Sequence, residues 1–248
     1  LAGHNKWSKI KHRKAVVDKR RGKVWTKVAK AIIVAAKHGG PDPAFNLTLR
    51  YAMDEARYAN MPRDVIERAI KKGAGGEDTS NYETVRYEGY APGSVAVIVD
   101  CLTDNRTRTA ADVRNAFVKS DGNLGTSGCV GYMFQHRGQI VIEAAGVDPD
   151  AIMNAAVDAG ASDVEPPASG DQPGEEGVWI IATEPTEFQR VKDAIEKAGF
   201  TIAAAELAMI PDTRVAVTGD AAESVQTLID ELEELDDVQK VYTSAEGM

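Results

Sequence analysis

Gln139-Ile-Val-Ile-Glu143, a short β-branched run, opens the stretch that decides the fold. The pattern after it predicts a helix from Pro149 to Ala159, a short strand from Asp163 to Glu165, a strand from Val178 to Thr183, a helix from Thr186 to Ala198 and a strand from Thr201 to Ile210. That β-α-β-β-α-β order is the split βαβ arrangement of ferredoxin-like domains.

On the N-terminal side, Thr84 to Tyr90 and Ser94 to Cys101 read as strands joined by the turn Ala91-Pro92-Gly93. A helix from Thr107 to Lys119 and a strand from Gly131 to Gln135 follow. On the C-terminal side come a strand from Arg214 to Thr218, a helix from Ala221 to Leu235 and a strand from Val238 to Thr243. Together the flanking pieces complete a second such unit, interrupted by the first. Before residue 80 the texture is helical, with stops at His38-Gly39-Gly40-Pro41 and Lys71-Lys72-Gly73 and a linker running to Asp78. The expected fold is α+β: an N-terminal three-helix bundle followed by two ferredoxin-like α/β domains, one inserted in the other. The expected boundaries are 1–77 for the basic helical domain, 78–136 plus 212–248 for the outer ferredoxin-like domain, and 137–211 for the inserted one. A length of 248 residues suits two or three domains.

Charge is distributed unevenly along this chain of net −9. Between Leu1 and His38, nine Lys and three Arg oppose the single acid Asp18, whereas from Asp78 onward eleven basic residues face thirty-one acids. Concentrated positive charge on an acidic protein is the footprint of polyanion binding, with phosphate neutralisation supplying affinity. The expected nucleic-acid-binding residues are Lys6, Trp7, Lys9, Lys11, His12, Arg13, Lys14, Lys19, Arg20, Arg21, Lys23, Lys27 and Lys30. In the helix that follows the arm, Val24, Val28, Ala31, Ile32 and Ala35 fall on one arc and Lys23, Lys27, Lys30 and Lys37 on the opposite one. One arc packs; the other is expected to be a row of ammonium groups. Trp7 and Trp25 read either as stacking platforms for unpaired bases or, more commonly for tryptophan, as packing residues.

Catalytic and metal-binding patterns are sparse. None of His4, His12, His38 and His136 has a sequence-local acid and nucleophile, and Cys101, Cys129 and His136 lack metal-ligand spacing. Neither a cofactor nor a metal is expected, and no catalytic residues are assigned. Gly122-Asn-Leu-Gly-Thr-Ser-Gly128 is rich enough in glycine to cradle a phosphate, yet it lacks the Lys-Ser/Thr ending of a nucleotide-binding loop and reads as turn chemistry. The cluster Arg106, Arg108 and Arg114 reads as a solvated face. The acidic stretch from Asp220 to Asp237 and the loop from Glu165 to Glu176 read as solubilising surface, with mimicry of nucleic acid and masking of the basic arm as the sharper alternative. Apolar runs such as Val95 to Val99 are far shorter than a membrane span, and the basic N-terminus leads into no apolar signal segment. A cytoplasmic setting without membrane contact is expected.

Five stretches together resemble the YebC family of probable transcriptional regulatory proteins, whose mitochondrial relatives are described as translational activators of cytochrome c oxidase. They are Ala2 to Lys14, Asn60 to Gly73, Tyr87-Glu-Gly-Tyr-Ala-Pro-Gly93, Thr103-Asp-Asn-Arg-Thr-Arg-Thr109 and Gly122 to Phe134. The resemblance implies a three-domain, non-enzymatic, cytoplasmic regulator of gene expression that binds DNA. The organellar relatives imply the alternative, a translation factor that uses the same arm on ribosomal RNA. The expected partner is therefore nucleic acid, either DNA or structured RNA with the ribosome included, and the acidic C-terminal domains are candidates for protein contacts.

Overall fold

A computed structural model describes residues 22–75, 81–167 and 177–246. They form two compact units: His136–Met209 is one, and the described residues up to Gln135 together with those from Ile210 onward are the other.

In the second of these, three helices come first: α1 (22–39), α2 (Leu47–Tyr58) and α3 (Arg63–Ala74). Val28, Ile32, Ala35 and Ala36 of α1 pack against Leu49, Ala52 and Ala56 of α2 and Ile66 and Ala69 of α3. Asn46 explains the tight α1–α2 corner. Its side-chain carbonyl caps α2 by accepting from the Leu49 amide at 3.0 Å, while its amide nitrogen donates to the Ala35 and Gly40 carbonyls at 2.8 Å each. Gly73 is a contact requirement: a Cβ there would strike the Ile33 carbonyl oxygen and stand 2.9 Å from the Ala36 Cβ. Trp25 packs at the bundle edge and its indole donates to the Ala59 carbonyl at 3.0 Å.

The sheet of this unit has the order β3-β1-β2-β9. Strands β1 (Glu83–Ala91) and β2 (Val95–Thr103) form an antiparallel hairpin closed at Ala91↔Val95, its turn made possible by Gly93 at φ +76°. Helices α4 (Arg106–Lys119) and α7 (Gly219–Glu234) cover one face, where Val113, Ala116, Phe117, Val225, Leu228 and Leu232 meet Val95, Val97, Val99 and Cys101. The far edge is β9 (Val238–Thr243), antiparallel to β2 in a register that sets Cys101 opposite Val238 and Val97 opposite Thr243. A separate parallel pair joins β8 (Val215–Ala216) to β10 (Ala245–Glu246).

Two details differ from the sequence reading. Gly131–Met133 is a 3-10 turn, and Phe134 begins the long strand β4 (Phe134–Glu143) of the other unit. The edge of the outer sheet is instead the two-residue β3 (Asn123–Leu124), paired with β1. The cause lies in Glu88, whose carboxylate draws in the amides of Val130 and Gly131 and so keeps them out of any ladder. Likewise the expected strand from Arg214 to Thr218 pairs with β10 rather than joining the main sheet.

The unit His136–Met209 contains β4, α5 (Pro149–Ala159), β5 (Asp163–Glu165), β6 (Val178–Thr183), α6 (Phe188–Lys197) and β7 (Ile202–Pro211), with sheet order β5-β6-β4-β7. This is the ferredoxin-like pattern expected from the sequence. Both sheet faces are apolar: Ile140, Ile142 and Ile181 are fully buried, as are Ile152 of α5 and Val191 and Ile195 of α6, while Val141, Val178 and Ile180 pack on the reverse side with Ala204. Helix α5 carries its own start and stop. Asp148 caps it, Pro149 occupies its first position, and Gly160 ends it at φ +84°.

Candidate nucleic-acid interface

Of the residues expected to meet nucleic acid, Lys6, Trp7, Lys9, Lys11, His12, Arg13, Lys14, Lys19, Arg20 and Arg21 lie outside the described residues. Lys23, Lys27 and Lys30 fall on one line of α1, as their spacing requires. They do not form the open ammonium row that periodicity suggested, because all three point into the C-terminal end of α7 and the turn that leads to β9.

The contacts run in register. Lys23 Nζ lies 2.8 Å from a Glu234 carboxylate oxygen and 3.9 Å from Asp236. Lys27 Nζ donates to the Glu233 carbonyl at 2.6 Å. Lys30 Nζ donates to Asp237 Oδ1 at 2.9 Å and to the Leu102 carbonyl at 3.2 Å, and stands 5.0 Å above the Tyr82 ring. The physical reason lies in α7, which ends in Glu231, Leu232, Glu233 and Glu234 with no basic residue in its last turn. Its terminal carbonyls and carboxylates sum their negative charge at one place, and α1 supplies the cations that the helix lacks. Burial pushes the Lys27 ammonium down to about 8, an effect only partly offset by Glu233.

Asp237 anchors the deep end of this contact. Its carboxylate meets Arg108 Nη2 at 2.7 Å, Thr109 Oγ1 at 2.8 Å, Lys30 Nζ at 2.9 Å and Thr103 Oγ1 at 3.2 Å. Burial alone would raise this acid, but the hydrogen bonds from Arg108, Lys30 and Thr109 outweigh it and hold the carboxyl at about 2. A second strap, Lys240 Nζ to Glu55 Oε1 at 2.6 Å, ties β9 to α2. The stretch Thr103 to Thr109 thus acts as a joint: Asn105 caps α4 through the Arg108 amide, and Thr103, Arg108 and Thr109 hold Asp237. The sequence reading took Arg108 for a solvated residue. Asp237 is 129 residues away from Arg108 and nothing local pointed to it.

The glycine-rich loop after α4 has its own occupant. The amides of Gly128, Val130 and Gly131 donate to the buried Glu88 carboxylate at 3.0, 2.9 and 2.6 Å. Burial would raise Glu88, yet the amides of Val130, Gly128 and Gly131 prevail and hold it below the usual carboxylate range. An anion nest is present, and its anion belongs to the chain. Cys101 is buried, which pushes its thiol up to about 12. Among the described residues there is no cluster of three or more His, Cys, Asp or Glu side chains suited to a metal ion, and no helix long and apolar enough to cross a membrane.

Fold and joint define a class of protein: an α+β chain whose basic helical domain is keyed by ion pairs into a sheet domain that houses a ferredoxin-like insertion. Residues 5–76 match the TACO1/YebC protein N-terminal domain and residues 82–245 the TACO1/YebC second and third domain, so the chain belongs to the TACO1/YebC family. It is 51% identical over 246 residues to a probable transcriptional regulatory protein of Thiobacillus denitrificans, covering 99% of this chain and 98% of that one. A protein of the same description from Burkholderia multivorans is 52% identical over 245 residues, covering 99% and 98%. Among solved structures, the conserved hypothetical protein Aq1575 of Aquifex aeolicus is similar with a TM-score of 0.80 and 47% identity, over 93% of this chain and 92% of that one.

Proposed function

We propose that the protein is a non-enzymatic, cytoplasmic regulator of gene expression that binds nucleic acid, DNA in the first instance, through residues 1–21. The observation that carries this reading is the charge of that segment. Eight cations and one acid lie within 21 residues, directly before a helix whose own lysine row is engaged by α7. The arm therefore supplies the phosphate contacts, and positioning by phosphates precedes any reading of sequence. Support for duplex DNA comes from the names of the curated relatives and from α2 and α3. These are two twelve-residue helices joined by the four residues 59–62, with Asn60 at φ +52°, and α3 exposes Arg63, Arg68, Lys71 and Lys72.

A second reading, a translation factor on structured RNA, draws support from the arm itself, since an extended basic segment fits folded RNA without a base-reading element. The test is a titration of the full chain with a short DNA duplex and an RNA hairpin of equal charge at several salt concentrations. Tighter binding of the duplex supports the transcriptional reading, tighter binding of the hairpin the translational one. Binding of neither, or binding without salt dependence, overturns the proposal.

A further inference from the structure

We propose that the lysine face of α1 is a latent second polyanion site, held closed by the acidic end of α7, which stands where a phosphate backbone would lie. The inference rests on the nucleic-acid-binding reading above and adds its regulation.

Each of the three lysines is matched to an oxygen of full or partial negative charge: the Glu234 carboxylate, the Glu233 carbonyl and the Asp237 carboxylate. From Lys23 to Lys30 the helix advances about 10 Å, which corresponds to about three nucleotide steps of one strand. The lysine row thus spans the length of a short run of phosphates.

The contact is graded along its length. At the Lys23 end it is open: the side chains of Lys23, Glu234 and Asp236 are 34%, 43% and 83% exposed, and the Lys23–Asp236 separation is 3.9 Å. At the Lys30 end it is closed, with Lys30 and Asp237 16% and 10% exposed and Arg108 bound to the same carboxylate. Lys23 follows Arg21 by two residues, so a strand held by the arm arrives at the open end first. The half-buried Lys27, with its lowered proton affinity, is poorly served by the closed arrangement and gains most from a fully charged phosphate partner. A strand that displaces Glu234 and Asp236 therefore recruits Lys23, then Lys27, while the Asp237 joint keeps the two elements attached.

The experiment compares the parent with the full-chain variant Glu234→Gln/Asp236→Asn, titrated with the same duplex and hairpin at several salt concentrations. The control is Asp220→Asn/Glu223→Gln, which removes the same charge from the exposed opening turns of α7. The expected result is affinity about tenfold above the control. The salt slope should steepen by about 1.4 to 1.8, two phosphate contacts at about 0.7 to 0.9 each. Adding Lys23→Gln and Lys27→Gln to the variant should cancel both gains. If Glu234→Gln/Asp236→Asn matches the control in affinity and slope while the parent binds, the contact is a permanent joint and the latch is overturned. If neither parent nor variant binds, the nucleic-acid reading falls and the latch with it. If only the variant binds, the latch stands and the arm is not the primary contact.

Discussion

Asp237→Asn is the sharpest probe of the joint between the helical domain and the outer sheet. The substitution keeps volume and one acceptor oxygen, removes the charge, and turns an amide donor toward either Lys30 or Arg108, which approach at 2.9 and 2.7 Å. Breaking a buried pair costs about 3 to 5 kcal/mol because the remaining partner is left without compensation. Here Lys30 is nearly buried, whereas Arg108 is 48% exposed and regains water, so the loss belongs at the lower end, about 3 kcal/mol. The assay is urea unfolding at neutral pH, followed by hydrogen exchange in peptides from β2, α4 and β9 so that the unit His136–Met209 does not contribute. With a urea m-value of about 2 kcal/mol/M, the midpoint falls by about 1.5 M at constant m. The pH dependence has a definite sign. The folded pKa of Asp237 lies below its unfolded value, so its contribution is complete above about pH 4 and drains away as pH falls toward about 2. Asp237→Asn should lack that part of the acid limb. A midpoint within about 0.3 M of the parent, or an unchanged acid limb, would show that Asp237 is no anchor, because about 0.6 kcal/mol is the scale of an exposed pair.

Glu88→Gln replaces an ionised acceptor with a neutral one opposite three amides and should cost about 2 kcal/mol, read as faster amide exchange at Gly128, Val130 and Gly131. Gly73→Ala should lower Tm, although helix propensity alone favours Ala by about 1 kcal/mol, because the added methyl meets the Ile33 carbonyl. Gly22→Ala, whose added Cβ meets nothing within 4 Å among the described residues, is its control and should leave Tm unchanged or slightly raised. Lys27 binds its proton more weakly folded than unfolded, so between about pH 8 and 10.5 the unfolded state carries the extra proton and stability rises with pH. In Lys27→Met the rise over that window should be smaller than in the parent, as measured by urea midpoints across it.

Local pattern carried most of the fold. Pro149 to Ala159, Asp163 to Glu165 and Val178 to Thr183 occupy the expected residues because their signals are short-range: a cap and a left-handed glycine for the helix, β-branched runs for the strands. The strand expected at Gly131 to Gln135 was misplaced because the deciding group is Glu88, some 40 residues earlier and on another strand. A β-propensity reading cannot see a carboxylate that captures backbone amides. The lysine row shows the same boundary. Periodicity correctly put Lys23, Lys27 and Lys30 on the side opposite Val28 and Ile32, but what covers that side is a helix end about 206 residues downstream. The acidic character of 220–237 was legible; its place against α1 was not, because register between distant elements is written in tertiary contacts rather than in composition.

Deleting residues 1–21 and repeating the titration separates binding by the arm from binding by the α1 row, which α7 engages. The deletion removes eight cations and one acid but leaves the ion pairs of Lys23 and Lys30 and the hydrogen bond of Lys27 in place, so the rest of the chain should keep its parental melting profile. Affinity for duplex and hairpin should fall by at least about 100-fold at low salt. The magnitude of the salt slope should shrink by about 3 to 4, as expected if about half of the eight cations meet phosphates at about 0.7 to 0.9 each. Retention of parental affinity and slope by the shortened chain would move the binding surface from the arm to helices α1 to α3.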